Sequence, residues 1–249
     1  MRLLAALLLP FAALLLWPLA AIAAEFQVLT AGAYRGVLVA LAPAIQAELG
    51  TTLVIRNETA GVVAQKVRDG DAADLVVLPP AAAAPVAGLI GPLRPLARVG
   101  IGVAVREGAP RPAIGTEAEV RAAILAARAP AWIDPAAGGS SGIYMNALVS
   151  RWGVADRVLP HAVLVGGGLV TDAVADGRAD LAFQQLSELG HTPGVVVVGP
   201  LPAAIQSYTV YAGAVPLRSG QAEAARAVLD WLASPHSADA LRQAGMDAP

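Results

Sequence analysis

The 249-residue chain contains no cysteine, which excludes disulfides, thiolate metal sites and a lipid-modified cysteine anchor. It has a single lysine, Lys66, and a formal net charge of −2, so no basic patch exists to track a phosphate backbone. Nucleic acid is therefore not an expected partner. Aromatic residues make up only 4% of the chain, too few for the stacking platforms that a carbohydrate or polyaromatic binder needs. The three histidines, His161, His191 and His236, have no metal-ligand spacing and read as loop or surface residues. Past the first two dozen residues, no apolar run is long enough to cross a bilayer.

What the chain does have is alanine, valine and leucine in quantity, with a hydrophobic fraction of 56% that suits a tightly packed α/β protein. Its first residues read as a secretory signal. Arg2 supplies the positive end, residues 3–19 the apolar stretch, and Ala21-Ile22-Ala23 a small-x-small cleavage site. Pro10 and Pro18 interrupt the apolar run, which argues against a retained membrane anchor. Residues 1–23 are expected to be removed on export, leaving enough chain for one large domain or two lobes.

The mature part alternates. "EFQVLTA" predicts a strand, and the following segment a helix with apolar residues at Val37, Leu38, Leu41, Ile45 and Leu49, ended by Gly50. Pro43 falls inside this helix, where a kink or break is expected. "TTLVIRNE", "TAGVVAQKVRDG" and "ADLVVLP" continue as strand, helix and strand, an order that implies a parallel sheet with crossover helices. The order then restarts. "ARVGIGVAVREG" reads as one strand, "TEAEVRAAILAARA" as a helix with a Thr116/Glu119 capping box, and "AWID" as a strand. Another helix, "HAVLVG", "LVTDAVADG" and "ADLAFQQ" follow, so the chain holds two similar units. "VRDGDAADLVV" and "VADGRADLAF" echo each other across its midpoint, with Asp74 and Asp180 read as structural turn residues. After "GVVVVG" and "QSYTVYAGAV", two C-terminal helices separated by Ser234-Pro235 look like a return to the first unit.

The segment "DPAAGGSSGIYMNAL" carries two competing chemistries. Gly138, Ser140 and Gly142 spell the G-x-S-x-G of serine hydrolases, with Asp172 or Asp180 and His191 as nominal partners. "AWID", however, ends several residues before Gly138, whereas an elbow follows its strand directly. The same residues would also open a helix, with Ser140 or Ser141 as N-cap, whose free N–H groups bind a small anion.

An exported, cysteine-free chain of two α/β lobes, with crossings near residues 98–104 and 206–212, resembles the type II periplasmic-binding fold. More narrowly, it resembles the molybdate-binding periplasmic proteins of ABC importers and their relatives. The resemblance runs from "VLTAGAYRGVLVALAPAIQAELG" through "GDAADLVVLP" and "DPAAGGSSGIYMNAL" to "GRADLAFQQLSELG" and "PLPAAIQSYTVYAGAV". The last two match a relative branch rather than the molybdate binders themselves. The resemblance implies two lobes, each a mostly parallel sheet flanked by helices, with a ligand cleft at the hinge. Residues 24–100 would form the first part of lobe 1, 101–207 lobe 2, and 208–249 the return to lobe 1. It also implies capture of a small anion by lobe closure and delivery to an ABC importer permease, without covalent chemistry or a cofactor, by a monomer.

The family's ligand positions fall here on Gly32 to Arg35, Thr59 to Gly61, Gly139 to Tyr144, and Gln184 with Gln185. Ala33 stands where molybdate binders typically have a serine, Ala60 follows Thr59, and Gln184 replaces a hinge-side tyrosine. The expected ligand-binding set is Ala33, Tyr34, Arg35, Thr59, Ala60, Ser140, Ser141, Gly142, Tyr144, Gln184 and Gln185. Arg35, at a helix start, suits bidentate grip on a carboxylate, or else pairs with Glu58 or with solvent. Strand alternation sends only one of the two glutamines to the cleft, and Tyr34 and Tyr144 would close over the ligand. The ligand is then a molybdate-type oxyanion or a small organic carboxylate. A sensor subunit presenting its ligand to a membrane receptor, or a serine hydrolase, is the alternative.

Overall fold

The computed structural model describes residues 25–249; the expected signal peptide, residues 1–23, lies outside them. Lobe 1 begins with β1 (Phe26–Ala31), α1 (Gly32–Leu49), β2 (Leu53–Glu58), α2 (Ala60–Arg68), β3 (Leu75–Leu78), the short α3 (Pro80–Ala83) and β4 (Arg94–Val99). Lobe 2 holds β5 (Ile101–Arg106), α4 (Glu117–Ala126), β6 (Pro130–Ile133), α5 (Ser140–Arg151), α6 (Ala155–Val158), β7 (Val163–Val165), α7 (Thr171–Ala175), β8 (Leu181–Gln185), α8 (Leu186–Leu189) and β9 (Val195–Pro200). The chain then returns through β10 (Thr209–Ala214), α9 (Ala222–Leu232) and α10 (Ala238–Gln243).

Two five-stranded sheets result, in the orders β2-β1-β3-β10-β4 and β7-β6-β8-β5-β9. In each, three strands pair in parallel, and the fourth position is taken by the strand that has just crossed from the other lobe, running antiparallel. The inner strands β3 and β8 are buried along their whole length because helices cover both faces. Alternation divides them: Leu75 and Val77 join one core cluster of sheet 1, while Val76 and Leu78 join the other. Helix α9 shows the matching helical period, burying Ala225, Val228, Leu229 and Leu232.

Two local expectations change. The segment "ARVGIGVAVREG" is two strands, because Gly100 separates β4 in one sheet from β5 in the other. Helix α1 runs unbroken through Pro43. Pro43 and Val39 are exposed, so the carbonyl that proline cannot bond faces water. The capping box of α4 is present as read, with Glu119 N–H donating to Thr116 Oγ1 and Thr116 N–H to Glu119 Oε2.

Asp74 and Asp180 hold backbone in place. Asp74 accepts from Gln27 N–H, Ser219 Oγ and Gln221 Nε2, and Asp180 accepts from the N–H groups of Arg128 and Ala129. At the hinge, Gln206 ties the crossings together. Its Oε1 accepts from Ile101 N–H at 2.7 Å, and its Nε2 donates to the carbonyls of Ile101 and Leu201.

Candidate functional site

A cleft of about 580 Å³ lies between the lobes, at the carboxyl ends of β1, β2, β6 and β8. This is where loops following parallel strands gather helix starts. Three of the helices that begin on its wall are nine residues or longer: α1 at Gly32, α2 at Ala60 and α5 at Ser140. Each leaves its first N–H groups without partners inside the helix, at the positive end of the helix dipole. Their convergence favours an anion. The loop Gly167-Gly168-Leu169 adds backbone to the wall, and Asn57 an amide.

The hinge side of the cleft is built of neutral polar groups. Gln184 is spent on that loop, accepting from Val170 N–H at 2.8 Å and donating to Gly168 O at 3.0 Å. Gln185 donates to Thr209 Oγ1 at 2.9 Å, but its Oε1 is buried without a partner, as is Ser187 Oγ. A buried polar atom on a cleft wall that lacks a partner is satisfied when a ligand or water supplies one. Tyr211 of β10 completes this floor; its burial, with the charge of Glu188 nearby, holds its phenol protonated.

Glu188 is the unusual group. It reaches from α8 of lobe 2 to the start of α1 in lobe 1, so close that a Cβ on Gly32 would sit 2.6 Å from Glu188 Oε1. Enclosure of the carboxyl group pushes its pKa up to about 8, with the Gln184 amide acting in the opposite direction. His191 follows on the same segment, beside Gly36 of α1, its Nε2 2.9 Å from Ser187 O.

Of the expected residues, Ala33, Arg35, Thr59, Ala60, Ser140, Ser141, Gln184 and Gln185 line the cleft. Both glutamines do so, because they end the central strand β8 where it gives way directly to α8; the expectation that only one faces the cleft is corrected. Three residues do not line it. Tyr34 is fully buried in the lobe 1 core, on the stripe of α1 that carries Val37, Leu38, Leu41 and Ile45. Tyr144 packs on the lobe 2 core and donates its hydroxyl to Ile205 O at 2.7 Å. Gly142 faces β6, where a Cβ would lie 1.8 Å from Ile133 O.

Arg35 is exposed on the cleft wall and has no ion pair among the described residues; Glu58 instead pairs with Lys66 at 2.8 Å. The N-cap of α5 is Gly139, with Ser140 and Ser141 in the first turn rather than at the cap. Ser140 is no nucleophile elbow. Strand β6 ends at Ile133, a single 3-10 turn and Gly138 intervene, and no non-glycine residue has positive φ among the described residues.

Glu188, Ser187 and Tyr211 were not anticipated, and His191, read as a loop or surface residue, instead lines the cleft.

Opposite the hinge, the lobes touch. Thr59 caps α2 and donates its hydroxyl to Ala137 O, while Gly61 N–H donates to Gly138 O at 3.2 Å. A Cβ on Gly61 would meet Gly138 Cα at 2.9 Å. The structure is thus closed across the mouth, with the Thr59 hydroxyl spent on closure.

The profile of bacterial extracellular solute-binding proteins matches residues 26–247. An aconitate isomerase of Pseudomonas sp. is 31% identical over 230 residues, covering 88% of this chain and 86% of that protein. The periplasmic molybdate-binding protein of Azotobacter vinelandii superposes with a TM-score of 0.75 at 19% identity, covering 90% of this chain and 100% of that one. The sulfate-binding protein of Mycobacterium tuberculosis gives 0.71 at 17% identity, covering 90% and 86%. At these identities the two structures establish the two-lobed fold.

Proposed function

Because the chain belongs to the family of bacterial extracellular solute-binding proteins, we propose that it captures a small polycarboxylate in the interlobe cleft. Exported through residues 1–23, it acts as a monomer in the periplasm and passes its ligand to an ABC importer permease. The observation that carries this reading is the composition of the cleft wall, where the starts of α1 and α5 and an Arg35 with no ion pair among the described residues face a floor of amides and hydroxyls. A fork-shaped guanidinium matches a carboxylate, and separated helix starts suit an anion whose charges are spread over several groups. The volume, about 580 Å³, lies within the range of roughly 300–1,000 Å³ usual for organic ligands; a tetrahedral oxyanion would leave most of it unfilled.

Thermal-shift screening tests this reading, since a ligand that binds only the folded state raises its melting temperature. Di- and tricarboxylates are expected to stabilise the protein, with molybdate and sulfate without effect. Stabilisation by molybdate or sulfate alone would contradict it.

A second reading has its own support. The relative named an aconitate isomerase acts on an unsaturated tricarboxylate, and the cleft here contains Glu188, a carboxyl that a plain anion trap does not need. In this reading the captured ligand is also isomerised, which incubation with trans-aconitate followed by proton NMR detects as the cis isomer.

A further inference from the structure

We propose that Glu188 is the proton carrier for an allylic shift in a bound unsaturated tricarboxylate, taking a proton from one carbon and returning it two carbons away. This rests on the polycarboxylate reading above and deepens its second form.

The geometry supplies what such a step needs. Glu188 lies against Gly32, at the start of α1, so a substrate whose carboxylates occupy the helix starts has its carbon skeleton within reach of one fixed carboxyl. The groups around Glu188 are suited to leaving it as the group that exchanges a proton. Gln184 and Gln185 from β8 are neutral, Tyr211 from β10 is held protonated, and Asn57 at the end of β2 is an amide. His191 on its own segment has its Nε2 against Ser187 O, Glu58 is paired with Lys66, and Arg35 of α1 is the free cation on the wall among the described residues.

In the step itself, ionised Glu188 removes a proton from the methylene carbon. The electron pair of that C–H bond forms a new carbon–carbon double bond, and the pair of the old double bond moves to the far carbon. That carbon then takes a proton from Glu188, whose newly acquired proton exchanges with solvent between the two transfers, so that solvent hydrogen enters the product. No atom is gained or lost, and no oxidant or cofactor is consumed. In a propene tricarboxylate the product has the same constitution, so only the geometry of the double bond changes. Charge developing on the carboxylates in the intermediate faces the N–H groups of α1 and α5, which are fixed before reaction. A carboxyl with its pKa near 8 is matched to exchanging protons near neutral pH.

The experiment uses the full mature chain with trans-aconitate in D2O. The wild type is expected to bind it by calorimetry, form the cis isomer, and place deuterium on the methylene and vinyl carbons. Glu188→Gln, similar in size and uncharged, is expected to keep or tighten binding while kcat falls about a hundredfold or more and deuterium incorporation stops. Glu188→Asp is expected to retain part of the exchange, and the wild-type kcat is expected to rise with pH through Glu188's titration. Wild-type kcat in Glu188→Gln would overturn the assignment of the carrier. Binding by the wild type with neither isomerisation nor exchange would overturn this inference and leave polycarboxylate capture standing. Absence of binding would overturn both.

Discussion

The two lobes share one sheet order and yet bring different things to the cleft. Lobe 1 moves from strand to helix with no spacer: Ala31 ends β1 and caps α1, and Thr59 alone separates β2 from α2. It contributes two helix starts and Arg35. Lobe 2 inserts a 3-10 turn and Gly138 between β6 and α5, and adds α8 directly after β8, which brings Ser187, Glu188 and His191. In the proposed function, lobe 1 is therefore the side that grips the anion. Lobe 2 grips as well, and it brings Glu188, whose enclosure pushes its pKa up to about 8.

A pair of glycine substitutions separates what holds a lobe together from what holds the lobes to each other. Gly142→Ala drives a Cβ into Ile133 O, forces α5 off β6 and is expected to lower stability by about 3 kcal/mol or more, read as the midpoint of denaturant unfolding. Gly61→Ala puts its Cβ against Gly138 of the other lobe only when the lobes are closed. Alanine is also the better helix former in α2, so unfolding should be unchanged or slightly later, while polycarboxylate affinity falls about tenfold. A loss of stability with intact affinity would mean that the closed contact is not part of binding.

Arg35→Ala tests the gripping role of lobe 1. Affinity for a tricarboxylate is expected to fall by about 2 kcal/mol, the lower end of the range for a charge pair because Arg35 is exposed. Ser140→Ala and Ser141→Ala test lobe 2 and should each cost about 1 kcal/mol, since the backbone N–H groups of α5 remain. Titration calorimetry of the three variants orders them. An effect of the serines larger than that of Arg35 would reverse the assignment of the two lobes.

Much of this arrangement was legible in the sequence. Apolar period gave the strand and helix order, Gly and Ser before an apolar helix marked the start of α5, and Thr116/Glu119 marked that of α4. What period does not carry is the object against which a face is buried. Tyr34 shares its stripe with Val37 and Leu38, so its core position was readable, while Tyr144 needed the position of Ile205, sixty-one residues away. The cleft tyrosine comes instead from β10, on a strand that reaches the site only because the chain crosses between lobes. Glu188 was hidden for the same reason: its raised pKa comes from enclosure by residues of both lobes, and no local pattern encodes that.

Glu188 also provides the most direct test that the ligand occupies this cleft. An acid whose folded pKa is raised keeps its proton up to about pH 8, and an anion bound beside it favours the protonated form further. Affinity is therefore full below that pH and falls as pH rises through it, and binding above it takes up a proton. Calorimetry of a tricarboxylate at pH 8.5, in two buffers of different ionisation enthalpy, measures that uptake as about one proton at most. The account predicts uptake by the wild type and none by Glu188→Gln. Binding with no proton uptake in the wild type, or the same uptake in both proteins, would contradict it.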